Sequence, residues 1–506
     1  MIGIVDFGSQ YTQLIARRIR ELGVKSEIIP YFALNTEKIK NYDALILSGS
    51  PASLSEKDFP RMDKKLLNLK IPILGICYGM QLISKIFGGK VEKGNIREYG
   101  EENIRIVKKT PLFDGIPQKN KVWMSHFEKV SSPPKGFKIT SFSSNNLIAS
   151  IENEKKKIYG VQFHPEVHHT DYGTKIFKNF LFKIAKVKRD WNLGKFIEEK
   201  ISEIKKEVGD GKVIMAISGG VDSSVTLALI KKAIGNRIYP VFVNTGLVRD
   251  KDIEKIKILK NCIGIRIKVI NAKKIFLKKL KGIIDPERKR KIIGREFINV
   301  FTNYAQNIKG ITHLAQGTLY PDVIESAKIG SGSSKIKTHH NVGGLPEKLK
   351  FKLLEPLKFL FKDEVRIVGK KLSLPDEIIL DHPFPGPGLA VRIIGEVNEK
   401  RLNILKRADR IIEEELKNEK IYYKVWQAFG ILLPVKTVGV MGDKRTYENV
   451  IALRIVNSLD GMTANFSKIP WKTLNNISKR IVNEVNGVNR VVYDLTNKPP
   501  GTIEWE

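Results

Sequence analysis

Cysteine is nearly absent from the chain, with only Cys77 and Cys262 in 506 residues. Two thiols cannot build a disulfide framework, so we expect a cytoplasmic protein rather than a disulfide-rich secreted one. No apolar run reaches about 18 residues, so no membrane span is expected. The N-terminal segment lacks the basic and apolar regions of a signal peptide. At roughly 150 residues per domain, the length predicts about three domains.

Negative charge is also in short supply. The 88 Lys and Arg residues outnumber the 54 Asp and Glu residues, which gives a net charge of +34. Such an excess can bind nucleic acid by releasing counterions. The basic residues are dispersed, however, with only short local runs such as 155–157 and 288–291, so the one-sided patch of a nucleic-acid interface is missing. We interpret the charge as compositional bias and expect no nucleic-acid partner, with an RNA-binding protein as the alternative from another class.

Buried apolar runs alternate with helical patterns in two stretches of the chain. This alternation predicts two doubly wound, mostly parallel α/β domains, at residues 1–186 and 187–380. A proline- and glycine-rich segment at 381–388 marks the second boundary. The charged helical pattern and the alternating strands beyond it predict a smaller α+β domain at 381–506. The predicted strands of the two α/β domains are 2–7, 44–48, 71–76, 213–217, 239–244 and 266–270.

Cys77 lies in the sequence Gly75-Ile-Cys-Tyr-Gly79, between a predicted buried strand and a helix. This is the pattern of a nucleophile elbow with cysteine in place of serine. The helix N-terminus favours a thiolate and supplies N–H donors. A thiol nucleophile also needs a base and a group that orients the base. His164 and Glu166 at the end of another apolar run are candidates for these two roles.

These motifs resemble the class I glutamine amidotransferase family over roughly residues 1–185. The resemblance implies that Cys77 attacks the glutamine amide, with His164 as general base and Glu166 as its orienting group. It also implies oxyanion binding by the N–H groups of Tyr78 and Ser50, with Gln81 as a further candidate for glutamine binding. Two segments depart from the family pattern: Gly-Ser-Pro replaces Gly-Gly-Pro at 49–51, and His-Phe-Glu replaces His-Gly-Asp at 126–128. We therefore interpret His126 as structural.

A second glycine-rich loop follows the first strand of the second domain. Its sequence, Ser-Gly-Gly-Val-Asp-Ser-Ser, offers several N–H groups and hydroxyls to an anion at a helix N-terminus. It resembles the PP-loop of ATP pyrophosphatases, which implies ATP as a substrate and Mg²⁺ near Asp222. The resemblance also places the adenine at Val243. The predicted ATP-binding loop consists of Ser218, Gly219, Gly220, Val221, Asp222, Ser223 and Ser224.

Several polar residues further along the chain are candidates for phosphate contacts. Asp322 and Glu325 could share one helical face and bind a metal ion or assist acid–base chemistry, and a solvated surface remains the alternative. Lys337, His339 and His340 fall in a long glycine- and serine-rich stretch that we interpret as a lid. Lys362 could also reach the phosphates, or could simply begin an exposed helix.

The segments Asp381–Arg392 and Lys498–Glu506 resemble the signature segments of the GMP synthetase family. The resemblance implies amination of xanthosine monophosphate (XMP) through an adenylated intermediate, with a homodimer formed by the C-terminal domain. Another glutamine-dependent PP-loop ligase and a PP-loop tRNA-modifying enzyme remain alternatives. The residues that the resemblance assigns to XMP are Arg295, Gln427, Arg490, Lys498, Thr502, Ile503 and Glu504.

Overall fold

The computed structural model describes residues 1–67, 69, 71–329, 351–441, 443–458, 461 and 463–506, without the side chains of residues 95, 96, 325–329 and 441. The chain divides into two compact units, one containing Met1–Asn192 and the other containing most of the chain from Leu193 onward. The predicted boundary at 186/187 lies close to this division. Among the described residues, no helix is long and apolar enough to cross a bilayer.

The first unit is built on a nine-stranded sheet. Its strands are β1 Ile2–Asp6, β2 Ser26–Pro30, β3 Ala44–Leu47, β4 Ile73–Ile76, β5 Lys90–Ile106, β6 Lys119–Ser132, β7 Lys138–Ser143, β8 Ile148–Asn153 and β9 Ile158–Val161. Its helices are α1 Thr12–Glu21, α2 Lys64–Leu67, α3 Tyr78–Ile86 and α4 Gly173–Lys178. The strand order is β2-β1-β3-β4-β9-β8-β7-β5-β6.

Pairing in this sheet changes from parallel to antiparallel at β9. The first five strands in this spatial order, which are β2, β1, β3, β4 and β9, pair in parallel. Four of them, β1, β3, β4 and β9, are buried throughout, as expected for strands covered on both faces. The strands β8, β7, β5 and β6 continue the sheet in antiparallel fashion. The parallel half confirms the predicted doubly wound arrangement, whereas the antiparallel half was not predicted.

The second unit contains the remaining strands. Its strands are β10 Lys212–Ala216, β11 Ile238–Asn244, β12 Lys268–Asn271, β13 Ile311–Ala315, β14 Lys352–Leu354, β15 Gln427–Met441, β16 Lys444–Asn457, β17 Asn465–Phe466 and β18 Val488–Tyr493. The remaining helices of the chain are α5 Leu193–Val208, α6 Val221–Ile234, α7 Asp250–Ile263, α8 Lys273–Leu280, α9 Pro286–Ala305, α10 Tyr320–Ile329, α11 Lys362–Lys371, α12 Asp376–Ile379, α13 Glu399–Asn418 and α14 Trp471–Glu484.

The strands β10 to β14 form an all-parallel sheet with the order β12-β11-β10-β13-β14. The chain moves outward from β10 to β12 and then returns to the other side of β10 with β13. Ligands of such sheets bind beyond the carboxyl ends of the strands at this reversal. The fold therefore predicts a ligand-binding site at the loops that follow β10 and β13.

The last four strands form a separate sheet, in which β15 and β16 make a long antiparallel ribbon and β18 pairs in parallel with β16. One hydrophobic core runs from the parallel sheet of the second unit to this last sheet, since it contains Ile214, Leu389 and Ile477 alike. A predicted boundary at 380/381 therefore does not separate two hydrophobic cores. The division of residues 187–506 into two domains stays a prediction.

Candidate active sites

Cys77 occupies a sharp turn between a buried strand and a helix. Strand β4 ends at Ile76 and α3 begins at Tyr78. Cys77 between them has φ 51° and ψ −107°, and a backbone in such a sparsely populated region costs about 1–3 kcal/mol. Its N–H donates to the Val161 carbonyl at 2.8 Å. This strained strand–turn–helix geometry is that of a nucleophile elbow.

The glycines on either side of Cys77 allow α3 to pack closely on the sheet. A Cβ added at Gly75 would lie 2.6 Å from the carbonyl carbon of Gly79. A Cβ added at Gly79 would lie 2.4 Å from the carbonyl oxygen of Leu47. Because both contacts are with backbone atoms, neither position can accept a side chain without moving the helix.

His164 and Glu166 form a buried pair beside Cys77. The distance from His164 Nδ1 to Glu166 Oε1 is 2.7 Å, and both side chains are buried. Burial alone would lower the pKa of His164, but the charges and hydrogen bonds of Glu166 and Cys77 raise that pKa well above its ordinary value. The structure therefore brings the three predicted residues together as a thiol, an imidazole and a carboxylate in succession, an arrangement suited to nucleophilic catalysis.

The Gly-Ser-Pro loop lies against this group. A Cβ added at Gly49 would lie 3.3 Å from His164 Cε1. Ser50 Oγ donates to the Phe7 carbonyl at 2.8 Å, and within the described part of the chain the Ser50 N–H has no hydrogen-bond acceptor. The Tyr78 N–H is one of the first N–H groups of α3, which have no acceptor within the helix. Both N–H groups are thus available to an anion.

Gln81 lies behind the nucleophile and is already hydrogen-bonded. Its Nε2 donates to the Glu128 carbonyl at 2.7 Å and to Gln162 Oε1 at 3.2 Å. Gln162 Nε2 in turn lies 3.6 Å from Cys77 Sγ. Gln162 was not predicted as a site residue, although it stands two residues before His164 at the end of a buried strand. This position was the signal in the sequence that could have identified Gln162 as a site residue.

His126 has a structural setting, as expected from the sequence. Its Nε2 lies 2.9 Å from Glu98 Oε2, and its Nδ1 lies 3.0 Å from the Glu128 carbonyl. The side chain is buried. Both ring nitrogens are therefore occupied by partners other than Cys77.

The predicted PP-loop connects β10 to the N-terminus of α6. Gly219 has φ 79°, which favours glycine. The loop is held by its own hydroxyls: the Gly220 N–H donates to Ser218 Oγ at 3.2 Å, and Ser223 and Ser224 donate to the Gly220 carbonyl at 3.0 Å and 2.9 Å. Val221 is the first residue of α6. A helix N-terminus behind such a loop forms an anion-binding site.

Asp222 and Lys362 form an ion pair at this helix N-terminus. Lys362 Nζ lies 2.7 Å from Asp222 Oδ2, while Asp222 Oδ1 is buried without a hydrogen-bond partner among the described residues. An unsatisfied buried carboxylate oxygen beside a phosphate-binding loop fits a Mg²⁺ ion held mainly by phosphates. Among the described residues, no group of three or more His, Cys, Asp or Glu side chains is placed to hold a metal ion.

The loop after β13 lies beside the PP-loop, at the edge where the chain order reverses. A Cβ added at Gly317 would lie 3.2 Å from the backbone of Asp222. Val243 is buried near the end of β11, on the neighbouring strand. The carboxyl ends of three strands therefore surround the predicted ATP site.

The remaining candidates near this site have different settings. Asp322 Oδ2 accepts the Leu319 N–H at 2.8 Å at the start of α10. Glu325 belongs to the same helix, but its side chain is not among those described. The predicted lid residues Lys337, His339 and His340 lie outside the described residues.

The C-terminal tail brings several predicted XMP residues to the last sheet. Gln427 Nε2 donates to Glu504 Oε1 at 2.8 Å, and Thr502 Oγ1 donates to the Glu504 carbonyl. Ile503 packs on a small apolar cluster formed with β15 and β16. Lys498 Nζ donates to a main-chain carbonyl in the loop before β17 at 2.8 Å.

Two other predicted XMP residues lie outside this tail. The Arg295 side chain is 66% exposed, with Nε 3.4 Å from Glu296 Oε1. Arg490 Nε donates to Thr437 Oγ1 at 3.3 Å on the last sheet. Neither arginine contacts Glu504 or Gln427 in the described structure.

Three deeply buried cations hold the tail, and none of them was predicted from the sequence. Lys289, Arg392 and Arg454 are each at most 1% exposed. Lys289 pairs with Glu506, and Arg392 pairs with Glu504 at 2.8 Å. Arg454 donates to three main-chain carbonyls in the segment 496–503. The tail is therefore anchored at successive positions by side chains from α9, the segment after 388 and β16.

Comparison with known proteins gives matches along the whole chain. Three family models match: Glutamine amidotransferase class-I at residues 3–184, NAD synthase at residues 192–307 and GMP synthase C terminal domain at residues 414–505. The chain is 55% identical over 504 residues to a protein of Aquifex aeolicus named glutamine-hydrolyzing GMP synthase, covering 99% of each chain. It is 56% identical over 510 residues to the protein of that name from Thermosipho melanesiensis, again covering 99% of each chain.

Proposed function

The chain belongs to the glutamine-hydrolysing GMP synthase family, and from that premise we propose how its residues divide the reaction. It makes GMP from XMP with ATP and with nitrogen taken from glutamine. The observation that carries the proposal is the pair of separate centres in the chain. One is the buried Cys77–His164–Glu166 group, and the other is the PP-loop between β10 and α6.

In the first centre, Cys77 attacks the amide carbon of glutamine. The N–H groups of Tyr78 and Ser50 donate to the oxyanion that forms, since preorganised donors stabilise developing charge. The imidazolium of His164 gives its proton to the departing ammonia and later accepts one from the water that hydrolyses the thioester. Glu166 holds the imidazole through Nδ1, at 2.7 Å. The products are ammonia and glutamate.

In the second centre, the PP-loop N–H groups and hydroxyls hold the ATP phosphates. The C2 oxygen of XMP attacks the α-phosphorus, pyrophosphate leaves and adenylated XMP forms. Ammonia then displaces AMP at C2, which gives GMP. Mg²⁺, held by Asp222 and the phosphates, would neutralise phosphate charge, and Lys362 adds a cation at 2.7 Å from the same carboxylate.

We assign XMP to the C-terminal tail and its surroundings. The polar atoms of Lys498, Thr502 and Glu504 suit a purine edge and a phosphate. The exposed guanidinium of Arg295 and that of Arg490 supply further positive charge for the phosphate. Gln427 and Ile503 complete the predicted set, and the lid at Lys337, His339 and His340 remains a prediction.

The C-terminal domain also supports a homodimer. The far end of the β15–β16 ribbon exposes Val438, Val440 and Tyr447, with exposed fractions of 45%, 74% and 65%. A row of exposed apolar side chains at the end of a ribbon suits a self-complementary interface between two copies. Both cysteines are free, which supports the cytoplasmic location expected from the sequence.

Replacement of Cys77 tests the two-centre proposal. Cys77→Ala should abolish GMP formation from glutamine but preserve GMP formation from added ammonium, because the PP-loop lies in the other compact unit. Cys262→Ala is the matched control, since Cys262 is an exposed cysteine of α7. Loss of both activities in a folded Cys77→Ala protein would contradict the proposal.

A further inference from the structure

Glu128 on β6 is a buried carboxylate directed at the loop that carries Ser50. Its two oxygens accept hydrogen bonds from the Leu54 N–H at 2.8 Å, from the Ser55 N–H at 3.1 Å, and from the hydroxyls of Ser53 and Ser55. The side chain is 5% exposed. Glu128 also stands in the His-Phe-Glu segment that departs from the family pattern.

The loop from Gly49 to Ser55 is thus fastened at both ends. At its beginning, Ser50 Oγ donates to the Phe7 carbonyl at 2.8 Å. At its far end, the Glu128 carboxylate accepts four hydrogen bonds, and Lys85 adds a bond to the Leu54 carbonyl. The candidate oxyanion donor lies between these two attachments, so its position depends on both.

The main chain of the same residue reaches the nucleophile. The Glu128 carbonyl accepts Gln81 Nε2 at 2.7 Å, Gln81 donates to Gln162 at 3.2 Å, and Gln162 Nε2 lies 3.6 Å from Cys77 Sγ. Glu128 therefore contacts both parts of the site. Its side chain binds the oxyanion loop, and its backbone carbonyl is linked to the surroundings of the thiol.

The carboxylate is held in its ionised form. Burial alone would raise the pKa of Glu128, but the hydrogen bonds from Ser53, Ser55 and Leu54 lower that pKa below the ordinary value. An ionised acceptor forms the stronger hydrogen bonds of a charge-assisted kind. The loop is accordingly fastened by a fixed charge at neutral pH.

We propose that Glu128 is a positioning residue of the glutaminase centre, whose carboxylate fixes residues 50–55 so that the Ser50 N–H stabilises the oxyanion formed on glutamine. This inference rests on the proposed function, because it assumes attack by Cys77. The Glu128 side chain does not contact the reacting atoms, and its carboxylate acts through the loop alone.

Glu128→Gln removes the charge of this side chain but keeps its size and shape. The two carboxylate oxygens each accept a backbone N–H, from Leu54 and from Ser55. Whichever way the new amide is placed, its NH₂ group faces one of these N–H donors, and the loop must shift. A displacement of about 1 Å at a reacting centre costs roughly 10²-fold in rate.

The experiment compares two reactions of the full chain that share the thiol. Glutamate release in the presence of XMP, ATP and Mg²⁺ requires the oxyanion donors, whereas alkylation of Cys77 by iodoacetamide forms no oxyanion. We expect Glu128→Gln to lower kcat for glutamate release by roughly 10²-fold and to leave the alkylation rate unchanged. Glu128→Asp keeps the charge but is one methylene shorter, so an intermediate kcat is expected.

Glu152→Gln provides the matched control, because Glu152 is a buried carboxylate of β8 that pairs with Lys108 at 3.7 Å. It should leave both reactions unchanged. Wild-type kcat in Glu128→Gln would overturn the proposal, as would an equal loss of both reactions. If Glu128→Gln does not fold, Ser53→Ala tests the same contact, because it removes the loop hydroxyl that donates to the Glu128 carboxylate. Retention of glutamate release in Cys77→Ala would instead refute the proposed function itself.

Discussion

The guanidinium of Arg392 binds both carboxylate oxygens of Glu504, at 2.9 Å from Nε and at 2.8 Å from Nη2. Arg392 is buried and lies over the Phe429 ring, 3.8 Å from its centroid. It also pairs with Asp409, at 3.5 Å. A bidentate pair of this kind fixes geometry as well as charge. The orientation of the Glu504 carboxylate is therefore set by Arg392.

Arg392→Lys should weaken the use of XMP. Lysine cannot reproduce the planar two-point contact, so Glu504 would lose its fixed orientation. A loss of about 1.4 kcal/mol in XMP binding corresponds to a tenfold increase in KM. Steady-state GMP formation from ammonium, with XMP and ATP varied separately, should show the increase for XMP and little change for ATP.

Arg480→Lys is the control for this change, because Arg480 binds Glu414, Glu415 and Glu484 on α13 and α14. Its KM for XMP should match the wild-type value. An Arg392→Lys protein with unaltered KM for XMP would show that the orientation of Glu504 is unimportant for nucleotide binding.

Asp222→Asn should stop adenylation. The amide keeps the size of the side chain but removes the charge that pairs with Lys362 and that suits Mg²⁺. AMP formation from ATP and XMP in the presence of ammonium is the measurement, and we expect a fall of at least about 10²-fold, as for removal of one preorganised electrostatic group. Alkylation of Cys77 by iodoacetamide should proceed at the wild-type rate, because the thiol lies in the other compact unit.

The exposed Asp210, which precedes β10 in the same unit, supplies the control Asp210→Asn. AMP formation at the wild-type rate in Asp222→Asn would show that the loop between β10 and α6 does not bind the ATP phosphates as proposed.

His382 is held neutral inside the second unit. It stacks on Tyr422 with a ring-centroid distance of 3.8 Å, its Nδ1 accepts the Ala428 N–H at 3.2 Å, and its Nε2 lies 2.8 Å from the Tyr422 carbonyl. Burial lowers the pKa of His382 to about 4, and the backbone hydrogen bond to Tyr422 offsets this only in part. The folded protein therefore resists protonation of this ring.

This depressed pKa predicts a loss of stability in acid. The unfolded chain takes up a proton near the ordinary histidine pKa of about 6.5, whereas the folded chain does so only near 4. The contribution of His382 is thus fully present above about pH 6.5 and falls by about 3 kcal/mol as the pH drops towards 4. Denaturant unfolding of the wild type and of His382→Gln across this range should give a shallower pH dependence for the variant. Parallel curves would contradict the prediction.

The glutaminase residues could be predicted because their signals are local. Cys77 is flanked by glycines between a strand and a helix, and His164 and Glu166 end an apolar run. Each signal depends on neighbouring residues alone. The PP-loop was recognisable for the same reason, and the structure places Asp222 at the start of α6 as its position in the motif requires.

The residues that hold these motifs in place could not be predicted in the same way. Arg392 and Glu504 are 112 positions apart. The chain has 88 Lys and Arg residues, and the sequence around Arg392 does not distinguish it from the exposed ones. Gln162 and Glu128 depend likewise on contacts between distant strands. The antiparallel strands β5 and β6 carry a mixed polar sequence, which hides the alternation of a strand with one exposed face.

The backbone geometry that positions the Cys77 thiol for catalysis also lowers the stability of the folded chain. A glycine there would adopt φ 51° without steric strain, so Cys77→Gly would release roughly 1–3 kcal/mol of backbone strain, which the greater entropy of glycine in the unfolded chain offsets in part. The position of the nucleophile therefore costs the folded chain stability that a residue without this backbone strain would not cost.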